Sequence, residues 1–172
     1  MKIVFLDFDG VVTAKNGTPG SYLTHRLDEY GATPACLKRV LKLVSKTQAK
    51  IVISSNWRKF DETGPGSFWT HPIFGNVPNP LPKFIPALGG AYLETLPPVR
   101  TVGKAAVVWN WLTTRKGIDS FVVLDDMCRR EGFCGVPEFF NRYVNTDPET
   151  GFTEKDLRAA ETILSAIWAP AV

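Results

Sequence analysis

The segment Lys2–Val12 has the sequence KIVFLDFDGVV, in which an apolar run leads directly into two aspartates. The apolar part shows no polar alternation, which is typical of a central strand in a parallel sheet that is covered on both faces. Asp7 and Asp9 follow this run and are separated by one residue. Because residues i and i+2 of an extended segment point the same way, about 6.6 Å apart, we expect both carboxylates to face one ligand.

Further apolar runs predict strands at Ile51–Ile53, Phe121–Leu124 and Arg142–Asn145, with helical patterns between them. Strands that alternate with helices indicate an α/β fold with a mainly parallel central sheet flanked by helices. The length of 172 residues lies within the usual range for one domain. Residues 1–172 are therefore expected to form a single domain.

Three helices are predicted from their start and stop signals. Thr33, as an N-cap before a proline, begins the first helix, and the second runs from about Gly103 to Thr114. Thr153 and Asp156 resemble a capping box at the start of the third. The residues expected to face the core are Leu37, Val40, Leu41 and Val44 in the first helix, and Leu157, Ala160, Leu164 and Ile167 in the third.

Residues 61–100 break this pattern, because they contain most of the thirteen prolines together with several aromatic residues. The stretch is too aromatic for a disordered linker and too rich in proline for long helices. We interpret it as a folded insertion or lid beside the sheet. Residues 13–50 hold a predicted helix and leave no room for a large cap domain, so any cap is expected to be small.

The composition is that of a soluble globular protein, with 44% hydrophobic and 22% charged residues. No apolar run approaches the roughly 20 residues needed to span a bilayer. Asp7 and Asp9 interrupt the apolar stretch at the N-terminus, so no signal peptide is expected and a cytoplasmic location is predicted. Cys36, Cys128 and Cys134 are odd in number and show no zinc-ligand spacing, which predicts reduced thiols.

The net charge of +3 is unevenly distributed along the chain. Residues 1–60 carry ten Lys or Arg against four Asp or Glu, whereas residues 126–172 carry five against eight. This asymmetry suits an anionic partner on the basic side. The alternative is a set of solvated helix surfaces, which the charge distribution alone favours.

Polar groups suited to phosphate chemistry follow three of the predicted strands. In open parallel sheets, ligands bind beyond the carboxyl ends of the strands, so these groups are expected in one crevice. They are Asp7 and Asp9 after the first strand, Ser54 and Ser55 after the second, and Asp125 and Asp126 after the third.

The residue types in this crevice predict a division of labour. One carboxylate of the Asp7 and Asp9 pair can attack phosphorus while the other protonates the leaving oxygen. Two anions would repel a phosphate, so a hard cation is needed, and Asp7 with Asp125 offers the oxygen ligands that Mg²⁺ prefers. The Ser54 hydroxyl and backbone N–H groups can hold phosphoryl oxygens, and Lys104 can neutralise the remaining charge.

The ordered motifs DFDGVV, IVISS, Lys104 and VVLDD resemble the four motifs of the haloacid dehalogenase-like (HAD) superfamily. The resemblance implies a Rossmann-like sheet and a mechanism through an aspartyl-phosphate. It implies that Asp7 is the nucleophile and a metal ligand, that Asp9 is the general acid/base and binds metal through its carbonyl, and that Asp125 holds Mg²⁺. An acid at the position of Asp9 is typical of the phosphatases of the superfamily, not of its dehalogenases or ATP-driven pumps.

The candidate site residues have three roles: catalysis, substrate binding and metal binding. Arg100 is an alternative to Lys104 as the cation of the third motif, and Trp57 is expected to be a core residue. The candidates are Asp7 and Asp9 for catalysis, Gly10, Ser54, Ser55, Arg58 and Lys104 for substrate binding, and Asp7, Asp9, Asp125 and Asp126 for the metal.

The segments ISSNWR, VVWNWL, LDDM and VNTDPETGFT are similar to a narrower group, the HAD domain of Swiss-army-knife RNA repair proteins. This resemblance, and the open site expected of a protein with a small cap, implies that phosphorylated RNA or DNA ends are the substrate. The alternatives are a nucleotide or small-metabolite phosphatase whose lid is residues 61–100, and a non-catalytic binding module with this fold. No protein partner is indicated.

Overall fold

A five-stranded sheet forms the centre of the computed structural model, which describes residues 1–14, 32–57, 68–71, 75–78, 81–97 and 102–168. The strands are β1 (Lys2–Leu6), β2 (Lys50–Ile53), β3 (Phe68–His71), β4 (Gly75–Pro78), β5 (Tyr92–Thr95), β6 (Ser120–Asp125) and β7 (Tyr143–Asn145). The α-helices are α1 (Pro34–Thr47), α2 (Leu81–Leu88), α3 (Lys104–Thr113) and α4 (Glu154–Ser165).

The sheet has the order β5-β2-β1-β6-β7, and every neighbouring pair is parallel. β1 lies at its centre, where both faces are covered, and this explains an apolar run without polar alternation. The predicted α/β fold is confirmed. The four predicted strands are present with shifts of one residue at most at either end.

Two apolar layers cover the two faces of the sheet. Val4 and Leu6 of β1 belong to a cluster that includes buried residues of α1, α2 and α4. Ile3 and Phe5 belong to a second cluster, which includes the buried residues of α3. Successive side chains of β1 point to opposite faces of the sheet, so alternate residues pack into the two layers.

The three predicted helices are present, and each begins within one residue of its predicted start. The capping box of α4 is confirmed: the N–H of Thr153 donates to Asp156 at 2.9 Å, and the N–H of Asp156 donates to the Thr153 hydroxyl at 3.3 Å. The prediction for Ile167 is wrong. α4 ends at Ser165, so Ile167 lies beyond the helix and is 83% exposed. In α1, Leu43 is buried and Leu41 only partly so.

Part of the stretch predicted as an insertion belongs to the main fold. β5 is the edge strand of the central sheet beside β2, and α2 buries Leu81, Phe84 and Leu88. The Phe84 ring meets that of Phe8 edge-on at 5.0 Å. The antiparallel β3–β4 hairpin is the part that lies outside this sheet. β5 escaped prediction because it is a short edge strand without a continuous apolar run.

The prediction of reduced thiols is wrong for two of the three cysteines. Cys128 and Cys134 form a disulfide, whereas Cys36 is free and buried. The chain after β6 turns back on itself, so that the two Cα atoms lie 5.4 Å apart, within the range that a disulfide can bridge. Sequence spacing gives no sign of this turn.

Much of the charge asymmetry is balanced within the fold. α1 packs beside α4, and Glu154 lies 3.6 Å from Arg39 and 3.4 Å from Lys42, while Lys46 pairs with Glu161 at 3.0 Å. Exposed pairs of this kind contribute about 0–1 kcal/mol each. Basic residues of α1 are thus partly neutralised by the acidic C-terminal region. None of the helices in the described residues has the length and apolarity that a membrane span requires.

Gly151 provides a test of the packing between the turn before α4 and the loop after β1. Its φ is +64°, and a Cβ placed there would lie 2.7 Å from the Cys36 sulfur and 2.9 Å from the Val11 carbonyl oxygen. Gly117 has a φ of +76° with nothing within 4 Å of such a Cβ. Both alanine substitutions carry the strain of a left-handed backbone, but only Gly151→Ala adds a clash.

We therefore predict that Gly151→Ala lowers stability by about 1–3 kcal/mol more than Gly117→Ala does. At about 2–4 °C per kcal/mol for a chain of this size, thermal unfolding will resolve the difference. Equal melting temperatures for the two variants would contradict the close packing of Gly151.

Candidate active site

The parallel register brings the carboxyl ends of β1, β2 and β6 to one edge of the sheet. Leu6 pairs with Ile53 on one side and with Leu124 on the other. Beyond these pairs, the Asp7 N–H donates to the Leu124 carbonyl at 3.0 Å and the Ser54 N–H donates to the Leu6 carbonyl at 2.9 Å. The three polar segments therefore meet at one end of the sheet, as predicted.

A buried lysine joins two of the aspartates in this crevice. The Lys104 ammonium lies 2.8 Å from Asp7 Oδ2 and 2.5 Å from Asp125 Oδ2. Lys104 is 1% exposed, an unusual position for a lysine that only direct ion pairing can stabilise. Burial by itself would lower the pKa of Lys104, but the charges of Asp7 and Asp125 outweigh it and raise the pKa. The side chain is therefore a permanent cation.

The remaining oxygens of the two aspartates are held by backbone N–H groups. Phe8 N–H donates to Asp7 Oδ1 and Met127 N–H donates to Asp125 Oδ1, both at 2.8 Å. The Tyr143 hydroxyl donates to the Asp125 carbonyl at 2.9 Å and approaches Oδ1 at 3.3 Å. Both carboxylates are thus fixed in orientation before any ligand arrives.

Three carboxylates at this edge suit a divalent metal. One oxygen from each of Asp7, Asp125 and Asp126 lies within 4.8 Å of the others. Burial raises the pKa of Asp125, and the nearby charge of Asp7 raises it further, against the opposing effect of Lys104. An all-oxygen set with excess negative charge fits Mg²⁺, the cation expected from the sequence.

Asp9 is held by an indole. Trp57 N–H donates to Asp9 Oδ2 at 2.5 Å, across 48 residues of sequence. Burial, followed by the charge of Asp7, raises the pKa of Asp9 to about 7, despite the opposing effect of the hydrogen bond from Trp57. A carboxyl group with this pKa carries a proton for a large part of the time at neutral pH, which is the state that a general acid needs.

Gly10 is a packing position in the turn after Asp9. Its φ is +70°, and a Cβ there would lie 2.4 Å from an oxygen of Asp126. The Thr146 hydroxyl donates to the Gly10 carbonyl at 2.7 Å and fixes the turn from the side of β7. A side chain at position 10 would push Asp126 out of the acidic cluster.

The two serines after β2 are both buried, at 0% and 1% exposure for Ser54 and Ser55. Ser54 follows the strand directly, as expected, whereas the Ser55 hydroxyl accepts the N–H of Trp57 at 3.3 Å and supports the following turn. Of the other predicted substrate-binding residues, Arg58 lies outside the described residues. So does Arg100, the alternative to Lys104.

Sequence reasoning missed four residues that support the site: Trp57, Tyr143, Thr146 and Glu131. Trp57 was expected only in the core, and it is buried as well as bonded to Asp9. Tyr143 and Thr146 come from β7 and the turn after it, next to β6. Their neighbourhood follows from the strand order, which the sequence alone does not give.

Comparison with protein families agrees with this geometry. The family described as the HAD domain in Swiss Army Knife RNA repair proteins matches residues 3–157. The chain belongs to this family. The comparison with curated proteins gave no match, and neither did the comparison with solved structures.

Membership of the family agrees with the Rossmann-like α/β architecture and suggests a HAD-type phosphatase activity. The matched residues include the ends of β1, β2 and β6 and the start of α3, and so contain the whole acidic cluster and Lys104. The HAD phosphatase motifs predicted from the sequence therefore lie together in a domain of the expected family.

The dependence of the crevice on Lys104 is testable through stability. Lys104→Met keeps the length of the side chain but leaves Asp7 and Asp125 without their shared cation. Removing one partner of a buried ion pair costs about 3–5 kcal/mol. We predict a loss of that size in urea unfolding measured in EDTA, against less than about 0.5 kcal/mol for the exposed Lys116→Met. Equal stability of the two variants would show that Lys104 does not hold the two carboxylates together.

Proposed function

We propose that this protein is a Mg²⁺-dependent phosphomonoester hydrolase that works through an aspartyl-phosphate and acts on terminal phosphates of nucleic acid. The observation that carries the chemistry is the placement of Asp7. Its carboxylate is ion-paired to Lys104 and lies within 4.8 Å of the carboxylates of Asp125 and Asp126. Asp9 is two residues away in the sequence. A nucleophile, a neutralising cation and a proton donor are thus supplied by adjacent segments.

Asp7, Asp125 and Asp126 would hold Mg²⁺, together with the carbonyl of Asp9. The metal would neutralise the phosphate charge that the carboxylates otherwise repel. An Asp7 carboxylate oxygen attacks phosphorus while the bond from phosphorus to the leaving oxygen breaks. That oxygen takes a proton from Asp9, and the phosphoryl group is left on Asp7.

The second half of the reaction uses Asp9 in the opposite direction. The Asp9 carboxylate accepts a proton from a water molecule, and the water oxygen attacks the phosphoryl group on Asp7. The phosphorus–Asp7 bond then breaks, which releases inorganic phosphate and restores both aspartates. Lys104 remains protonated throughout and offsets the negative charge on the phosphoryl oxygens. Ser54 and Ser55 would bind those oxygens from the end of β2.

The substrate class rests on two supports. The family is described from RNA repair proteins, and the described part of the insertion between β2 and β5 contains a small hairpin and a short helix instead of a large cap. A small-metabolite phosphatase is the alternative. A mononucleotide or sugar phosphate preferred over end-phosphorylated oligonucleotides in a substrate screen would establish that alternative and exclude the nucleic-acid proposal.

The metal requirement is the first test of the chemistry. Release of phosphate from an aryl phosphate is expected to need Mg²⁺, to stop in EDTA, and to fall by at least about 100-fold in Asp125→Asn. Asp119→Asn, just before the start of β6 and therefore at the opposite end of the strand from Asp125, should leave the rate unchanged. Full activity in EDTA would exclude the mechanism.

Substrates with different leaving groups distinguish the roles of Asp7 and Asp9. Asp7→Asn should abolish turnover of every substrate. Asp9→Asn should lower kcat/KM, which reports the steps up to formation of the aspartyl-phosphate, by about 10²–10⁴-fold for an alkyl phosphate, whose leaving oxygen needs a proton, and much less for an aryl phosphate with an acidic leaving group. Wild-type turnover in Asp7→Asn would show that another residue is the nucleophile.

Trp57→Phe extends this test to the hydrogen bond on Asp9. Loss of a hydrogen bond to a charged group is worth about 1.5–3 kcal/mol, so kcat/KM for the alkyl phosphate should fall by about tenfold or more, with little change in kcat/KM for the aryl phosphate. Trp111→Phe is the matched control, because it removes an indole N–H bond of 2.9 Å to Glu94. An equal, uniform loss in both tryptophan variants would assign Trp57 to packing alone.

A further inference from the structure

The segment after the metal-binding aspartates forms a cross-linked loop, Cys128–Cys134, which we call the closed loop. Its ends are joined by the disulfide and by a hydrogen bond of 3.3 Å from the Cys134 N–H to the Cys128 carbonyl. The N–H of Glu131, within the loop, donates to the carbonyl of Met127, the residue just before the loop, at 2.9 Å. A loop restrained in this way presents its side chains with little freedom to lose on binding.

Glu131 ties the closed loop to two elements of the active site. Its carboxylate accepts the Asn56 amide N–H at 2.9 Å, two residues after Ser54. Its carbonyl accepts the Ala105 N–H at 3.0 Å, in the first turn of α3 and next to Lys104. Glu131 is 8% exposed, so its carboxylate faces the protein. The closed loop is thus joined to the segments that carry the serines and the lysine.

Phe133 gives the closed loop a third attachment. The side chain is 1% exposed, and its ring lies 5.1 Å from the ring of Tyr143, whose hydroxyl donates to the Asp125 carbonyl. On the inward side of the loop, Glu131 and Phe133 therefore contact residues that lie next to the proposed catalytic groups.

The outward side of the closed loop carries two exposed arginines, Arg129 and Arg130. Within the part of the chain that the structure describes, neither guanidinium is ion-paired with a carboxylate, and the Arg130 guanidinium donates a hydrogen bond to the Met127 sulfur at 4.0 Å. By contrast, Arg39 and Arg115 are paired with Glu154 and Glu94. Two adjacent arginines that form no ion pair within the described residues are suited to phosphate, which arginine binds through paired N–H groups.

The distance to the reaction centre is short. Arg129 is four positions after Asp125, and four residue steps span at most about 14 Å even when fully extended. In a nucleic-acid duplex, the phosphates of one strand are spaced by about 3.4 Å along the helix axis. A strand whose terminal phosphate lies against Asp7 therefore has further phosphates within reach of the closed loop.

We propose that the closed loop binds the phosphodiester backbone of a nucleic-acid strand next to its terminal phosphate, through Arg129 and Arg130. This site rests on the proposed function, because the strand is bound for hydrolysis at Asp7. It assigns backbone binding to the closed loop and not to α1, where Arg39 and Lys42 are engaged by Glu154.

The test compares Arg129→Gln/Arg130→Gln with Lys155→Gln/Arg158→Gln, a charge-matched pair exposed on α4. Steady-state kinetics with Mg²⁺ would use an end-phosphorylated oligonucleotide, a nucleoside 3′,5′-bisphosphate and an aryl phosphate. In the loop variant, we expect kcat/KM for the oligonucleotide to fall at least tenfold, with the aryl phosphate unchanged. The slope of log kcat/KM against log salt should become shallower by about 1.4, or 0.7 for each lost contact.

Each other outcome has a definite meaning. Equal oligonucleotide kinetics in the loop variant and the α4 variant would overturn the assignment of the closed loop. An equal loss for the nucleoside bisphosphate would show that a small second phosphate, not a strand, is bound there, and would also overturn it. Absence of aryl phosphate hydrolysis in the unmodified protein would instead refute the proposed function, so the two failures are distinguishable.

Discussion

The Lys104 ammonium between Asp7 and Asp125 is the contact on which the rest of the site depends. Two carboxylates that are almost fully buried repel each other, and burial removes the water that would otherwise stabilise their charges. Lys104 relieves this repulsion and at the same time fixes the start of α3 against the ends of β1 and β6. The same contact places a permanent positive charge where a phosphoryl group would bind.

The gathering of polar residues at the carboxyl ends of β1, β2 and β6 was predictable because it depends on local pattern. An unbroken apolar run that ends in acids occurs at both β1 and β6. This pattern is sufficient to place Asp7 and Asp125 at the same end of the sheet once the strands are parallel. The order of the motifs also singled out Lys104. Burial of a lysine at 1% exposure could not be predicted from residue type, since lysines near helix starts are usually solvated.

The supporting contacts were not predictable, because they join segments far apart in sequence. Trp57 reaches Asp9 across 48 residues, and the Thr146 hydroxyl reaches the Gly10 carbonyl across 136. The disulfide spans only six residues, but its loop also contacts distant parts of the chain, where Glu131 bonds to Asn56 and Ala105. Local signals also misplaced the end of α4, where Ile167 continues the helical period after the helix has stopped.

The central claim is that Asp7 carries the phosphoryl group during turnover, and it can be measured directly. Asp9→Asn should slow the hydrolysis of the aspartyl-phosphate, so this variant should accumulate it with an aryl phosphate. Borohydride reduction followed by mass spectrometry should then find homoserine at position 7, and none when Asp7 is also changed to Asn. Turnover of the aryl phosphate by Asp9→Asn with no trapped product at position 7 would contradict the account.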